Sequence, residues 1–203
     1  GIEIINRLAE QAWVSGARRL EEHRAVALVP AAGGGALAGV LMIDVRSGEL
    51  VFVRAKSVLL ATGGGPTMYR YHTPSGDKSC DGMAMALRAG LTLRDMEMVQ
   101  FHPTGLLVGD SGMSGTVLEE GLRGVGGHLF NGRMERYMAK YDPVRLERST
   151  RDVVSRSSYL EIVAGRGSPH GGVYIDVSHL GASFVEHNFP GMVERCRDVG
   201  FDL

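Results

Sequence analysis

Glu120 and Arg123 stand three residues apart in VLEEGLRG, a spacing that puts both side chains on one face of a helical turn. A carboxylate and a guanidinium so placed can exchange a charge-assisted hydrogen bond. Such pairs are common on protein surfaces, but the surroundings of this one are unusual. Glu119 lies beside it, His102 precedes it in QFHPTG, and six glycines fall between Gln100 and Gly124. Further on, Arg151 in STRDVV opens a helix, where its charge opposes the helix dipole. A cation held there calls for an anionic partner or a salt bridge to Asp152. Taken alone, His102 before Pro103 reads as a hydrogen-bonded turn residue. A second glycine-rich stretch, Ala61 to Gly65 (ATGGG), follows an apolar run, and Asp81-Gly82 opens a helix beyond it. Glycines at the end of a strand let backbone N–H groups approach a phosphate or a flat ring. A tight turn without a ligand would look the same, and no GxGxxG follows a strand in this chain.

The elements that must position these residues follow from periodicity. Ile4, Ile5, Leu8, Ala9, Ala12 and Trp13 recur at helical spacing, which predicts an amphipathic helix ending near Ser15-Gly16 with its apolar stripe in the core. Short β-type runs follow at 25–30, 39–44 and 49–55, with a hairpin turn at Arg46-Ser47-Gly48. The run SVLLATGGG, 57–65, reads as a buried strand ending in a turn. A helix is expected over 81–90 with a glycine stop at Gly90, then a strand in MEMVQFHPTG turning at His102-Pro103. Residues 105–133 lack periodicity apart from a short helical piece near 117–123. Ser149 or Thr150 then caps a long helix running to Gly165. VYIDVSHL, 173–180, reads as a strand, and two short helices, 181–188 and 191–199, close the chain.

Composition narrows the function. The 203 residues carry a formal net charge of -1 spread along the chain, so no basic footprint points to nucleic acid or an anionic membrane. No apolar run approaches the ~20 residues needed to cross a bilayer, which argues against direct membrane insertion. Cys80 and Cys196, far apart and outside any CxxC, read as reduced core thiols of a cytoplasmic-type compartment. His170, His179 and His187 lack ligand spacing, so no metal site is expected. The chain opens directly in a helix without a methionine, as an internal segment of a longer protein would.

Five motifs in fixed order, MEMVQFHPTG, EEGLRGVGG, ERYMAKYDP, TRDVVSRS and YIDVSHLG, give the chain a resemblance to the flavoprotein subunit of succinate dehydrogenase and fumarate reductase and to the related L-aspartate oxidases. The resemblance spans nearly the whole chain. It implies an α+β chain: residues 1–97 as part of an FAD-binding domain (α/β with a β-hairpin), followed by an α+β capping domain over 98–203. A dicarboxylate, succinate or fumarate, would lie between the two domains against the flavin. It further implies that His102, with position 119, binds the dicarboxylate, that Glu120 and Arg123 relay a proton, and that Arg151 delivers it while hydride passes between flavin N5 and the other alkene carbon. Ala61, Thr62, Gly63 and Gly64 match the family's second glycine-rich FAD contact, and Asp81 matches an acidic flavin ligand. An iron–sulfur subunit would be the electron partner, holding the protein at the inner face of the membrane.

Two departures qualify the resemblance. Where the family has Thr before the motif's Glu, this chain has Glu119, a carboxylate that would repel a dicarboxylate unless protonated or turned away. Val125 replaces a usual Glu, a milder change. The resemblance also implies that the first GxGxxG, the flavin-attaching histidine region and the clamp on the second carboxylate lie outside these 203 residues, so that the segment alone would not turn over. Two alternatives stand: an L-aspartate oxidase, in which the substrate's amino group would pair with Glu119, and a non-catalytic binding module that keeps the cap as an interaction surface.

Overall fold

A computed structural model describes residues 2–203. They form an α+β chain that divides into two compact units, one comprising residues up to Gly63 together with Cys80–Arg94, the other Gly64–Ser79 with Asp95–Leu203.

The first unit begins with α1, Ile2–Val14. Its period matches the sequence expectation, yet none of its residues is buried: Ile2, Ile4, Ile5, Leu8, Trp13 and Val14 all face solvent. The stripe is therefore not core in this chain, because none of the described elements packs there to bury it. Next comes an antiparallel meander of β1 (His23–Pro30), β2 (Leu37–Asp44) and β3 (Leu50–Arg54). The β1–β2 register shifts between Ala25 and Ala27, a bulge. The turn joining β2 to β3 is the expected one: Asp44 accepts from the backbone N–H groups of Arg46 and Ser47, and Gly48 takes φ +76°, which the turn requires. α2, Asp81–Arg88, lies against β1 and stops at Gly90, as expected. Cys80, in the left-handed region and only half-buried, precedes α2, so it is a loop residue and not a core thiol.

The expected strand at 57–65 is absent. Its backbone N–H groups meet no acceptor among the described residues, and Leu59 is 91% exposed. A strand exists only as part of a hydrogen-bonded ladder, so an apolar run without a neighbouring strand stays extended and irregular. MEMVQFHPTG is likewise irregular and not a strand.

In the second unit the chain around Gly105 bridges to Val117, and α3 (Glu120–Gly124) leads into β4 (His128–Phe130), which pairs antiparallel with β5 (Tyr174–Asp176). α4 (Met138–Tyr141) and α5 (Arg151–Glu161) follow β4, and α6 (Ala182–Asn188) and α7 (Pro190–Asp198) close the chain. β5 is shorter than VYIDVSHL suggested, since Ser178–Leu180 turns into a 3-10 helix. Past its last α-helical residue, α5 continues as a π-helical turn, Ile162–Arg166, with Gly165 at φ +74°. One apolar cluster joins Leu106, Leu118 and Leu122 to Val185, Met192 and Cys196; a second gathers Leu129, Tyr137, Met138 and Val154. The helices at 182–188 and 190–198 are thus amphipathic elements closing the first cluster.

Candidate active site

α3 is barely more than one turn, yet it is fixed on both sides. Leu122 is fully buried in the core, and Gly121 lies so close to Phe189 that a Cβ there would meet the ring at 2.9 Å. Gly127 is packed under the same turn, where a Cβ would come within 2.6 Å of the Leu122 carbonyl oxygen. The glycines of this stretch therefore permit close packing of a short helix that presents charged groups.

Those groups form a continuous chain. Arg123 donates from Nη2 to Glu120 Oε1 at 3.0 Å, and Arg151, at the start of α5, donates from Nε and Nη2 to Glu120 Oε2 at 3.1 and 2.7 Å. The partner of the helix-opening arginine is thus Glu120, while Asp152 pairs with Arg156 at 3.0 Å. Arg123 is 1% exposed, so the Glu120–Arg123 pair is not the ordinary surface pair its spacing alone suggests. Hydrogen bonds from Arg151 are the main cause holding the Glu120 carboxyl below its usual range. The same contact raises Arg151, whereas burial pulls Arg123 down against the pull of Glu120. Both cations stay charged, since an arginine titrates above ~12 even in proteins.

His102 is half-buried nearby. Its Nδ1 is engaged within its own turn, 3.2 Å from the Thr104 carbonyl oxygen and 3.4 Å from the Thr104 nitrogen, which leaves Nε2 as the nitrogen available to a ligand. Burial lowers its pKa foremost, and the positive charges of Arg151 and Arg123 lower it further. Buried Thr104 ties this turn to the approach to α3: Oγ1 donates to the Leu118 carbonyl at 2.8 Å, and the Leu118 N–H donates to the Thr104 carbonyl at 2.9 Å. His102, Glu120, Arg123 and Arg151 are thereby gathered. Glu119 is not drawn into the group. It is exposed, and among the described residues its carboxylate takes no hydrogen bond or ion pair.

Residues that the sequence did not single out complete the support. Glu147 is 3% exposed and takes two parallel bonds from Arg136, 2.8 and 2.7 Å, plus the Leu129 N–H at 3.2 Å. Its backbone carbonyl accepts from Arg123 Nη1 at 2.7 Å. Arg136 stands within ERYMAKYDP but Glu147 lies outside the five motifs, and their separation of eleven positions carries no periodic signal.

In the first unit, Ala61, Thr62 and Gly63 lie in the irregular segment after β3, exposed and without backbone partners among the described residues; Gly64, in the second unit, has open space where a Cβ would point. Gly82 is packed against Thr62 so tightly that a Cβ would sit 1.9 Å from Thr62 Oγ1. That contact fixes the glycine-rich turn against the first turn of α2, where Asp81 accepts from Arg24 Nη2 at 2.9 Å. Exposed backbone N–H groups without partners among the described residues fit a ligand that is flat and carries acceptors, as a flavin dinucleotide does.

The chain belongs to the FAD binding domain family, which it matches over residues 1–202. FAD is therefore its cofactor, and the exposed N–H groups at 61–63 fit it. Among its relatives, a fumarate reductase (CoM/CoB) protein of Methanothermobacter marburgensis is 40% identical over the whole of this chain and 36% of that protein. The succinate dehydrogenase flavoprotein of Coxiella burnetii is 35% identical over 96% of this chain and 32% of its own length. A solved structure of an E. coli quinol fumarate reductase mutant superposes with a TM-score of 0.82 at 36% identity, covering 91% of this chain and 33% of that one. The chain thus spans about a third of the length of these curated relatives. Among the described residues no helix is long and apolar enough to cross a membrane.

Proposed function

We propose that this chain is part of a flavoprotein that interconverts succinate and fumarate, with residues 1–97 contributing to its FAD-binding domain and 98–203 forming its cap. The single observation that carries this reading is the unbroken hydrogen-bonded path Arg123–Glu120–Arg151 beside His102. Ala61, Thr62, Gly63, Gly64 and Asp81 would hold FAD, which when bound supplies hydride exchange at N5 with one alkene carbon. This chain's residues serve the other carbon. His102 offers Nε2 to a substrate carboxylate, and Arg151 delivers a proton. An arginine is a poor acid in isolation, so the proton leaves Arg151 only as negative charge develops on the substrate, and Glu120 restores it from Arg123. The two guanidinium groups also stabilise that developing charge, which accounts for cations where a conventional acid would suffice. Electron exchange with an iron–sulfur subunit, and attachment at the inner face of the membrane through it, belong to the same proposal.

Replacing Arg151 by Gln in the complete flavoprotein tests this reading. Fumarate reduction should fall by a factor on the order of 1,000, within the range that general acid catalysis contributes, while the flavin spectrum stays unchanged. Unaltered turnover would remove Arg151 from its role. Titrating the chain itself with FAD tests the cofactor residues separately: a perturbed flavin absorbance that Asp81→Ala weakens supports the assignment, and an unaffected titration opposes it.

A second reading, L-aspartate oxidation, draws support from Glu119, whose exposed carboxylate lacks a partner among the described residues beside a site built for an anion. An ammonium group on the substrate would give it one. If Glu119→Thr strengthens succinate binding and weakens aspartate binding, this second reading gains; if aspartate is neither bound nor oxidised, it is lost.

A further inference from the structure

We propose that Glu147 is a positioning residue for the Arg123–Glu120–Arg151 path, an inference that rests on the relay reading above. The buried guanidinium of Arg123 has two hydrogen-bond partners among the described residues. One is Glu120, which lies on the same helical turn; the other is the backbone carbonyl of Glu147, 2.7 Å from Nη1. Its Nε is buried without a hydrogen-bond partner among them. The Glu147 peptide is therefore the one anchor for Arg123 among the described residues that comes from outside α3, and the aim of the guanidinium depends on where that peptide sits.

The Glu147 side chain fixes the peptide. Its carboxylate is gripped by both arms of the Arg136 fork and by the Leu129 N–H of β4, so the residue is tied to two separate segments. A fork-to-carboxylate pair sets orientation as well as distance. The preceding residue, Leu146, has φ +50°, a left-handed conformation that a leucine adopts only when its surroundings force it. Four residues after Glu147 the chain delivers Arg151 at the start of α5. One clamped turn thus sets both ends of the path, Arg123 through its carbonyl and Arg151 through the chain that follows.

Glu161 supplies the contrast. It is as deeply buried, at 1% exposed, and takes bonds from Arg166, Tyr141, Asn131 and Lys140, but it touches none of the three relay residues. Losing it removes a buried carboxylate network of similar size and should leave the hydrogen bonds of the relay in place.

The test compares Glu147→Gln with Glu161→Gln in the complete, FAD-loaded flavoprotein, with Glu120→Gln as reference. Glu147→Gln should lower kcat on the order of 100-fold with KM unchanged, the scale of loss that a misplacement of about 1 Å produces. Arg136→Lys, which keeps the charge and loses the fork, should lower kcat less. Glu161→Gln should depress the melting temperature as much and leave kcat intact. With isotopically labelled arginine in the same protein, the Arg123 Nε–H resonance should be protected from exchange, and should lose that protection in Glu147→Gln but not in Glu161→Gln. Parental kcat and retained protection in Glu147→Gln would overturn the proposal, as would equal losses of kcat in the two variants. If Glu120→Gln itself turns over normally, the relay reading fails; if only Glu120→Gln is inactive, the relay stands and the positioning role of Glu147 falls.

Discussion

At the level of single residues the charges explain one another. His102 is half-buried beside two guanidinium groups, so its folded pKa lies below the ordinary 6.5. Between the two values the unfolded chain holds more protons than the folded one, so the contribution of neutral His102 to stability is complete above 6.5 and is lost as the pH falls through the folded value. In an NMR titration of the chain the His102 ring should therefore titrate below 6.5, and Arg151→Gln should move its midpoint upward by removing a nearby positive charge. A midpoint above 6.5 would contradict the cation-facing setting. The sequence made the identities of these residues legible through motif order. It could not reveal that Arg123 is buried or that Arg151 is answered by Glu120 and not Asp152, because both depend on contacts between segments about thirty residues apart.

Secondary-structure elements show the same division between local and distant causes. Helices α1, α2, α5, α6 and α7 and the β2–β3 hairpin were legible because their determinants lie within a few residues: apolar period, an Asp-to-N–H turn, a glycine stop. The runs at 57–65 and 96–105 misled because a strand needs a partner and apolar composition does not supply one. β4 was missed for the complementary reason, since three residues, His128 to Phe130, become a strand only by pairing with Tyr174 to Asp176. The contact of Gly82 with Thr62 belongs to this scale. Gly82→Ala would drive a methyl into the Thr62 side chain and should cost about 1–3 kcal/mol, the usual range for overpacking. Thermal melting should register that loss, and FAD titration should weaken with it; an undisturbed melting temperature would mean the turn yields freely.

For the molecule as a whole, stability in acid rests on carboxylates held ionised by their neighbours. Glu161, with Arg166 as its principal partner, lies far below its ordinary 4.5, and Glu120 and Glu147 are lowered too. Their contribution is fully present above 4.5 and is lost as the pH falls through the depressed values, so the melting temperature of the second unit should fall steeply in acid. Glu161→Gln should flatten that dependence; a slope unchanged in this variant would show that the acid sensitivity arises elsewhere. The first helix has a different consequence. α1 has no buried residue, and the hydrogen bonds of Arg7 to Glu3 and Glu10 stay on its own surface. Helices of this length are marginal in water without tertiary packing. Its amides should therefore exchange with solvent far faster than those of α5, and a protease that cuts after arginine should open the chain first at Arg7, Arg18 or Arg19.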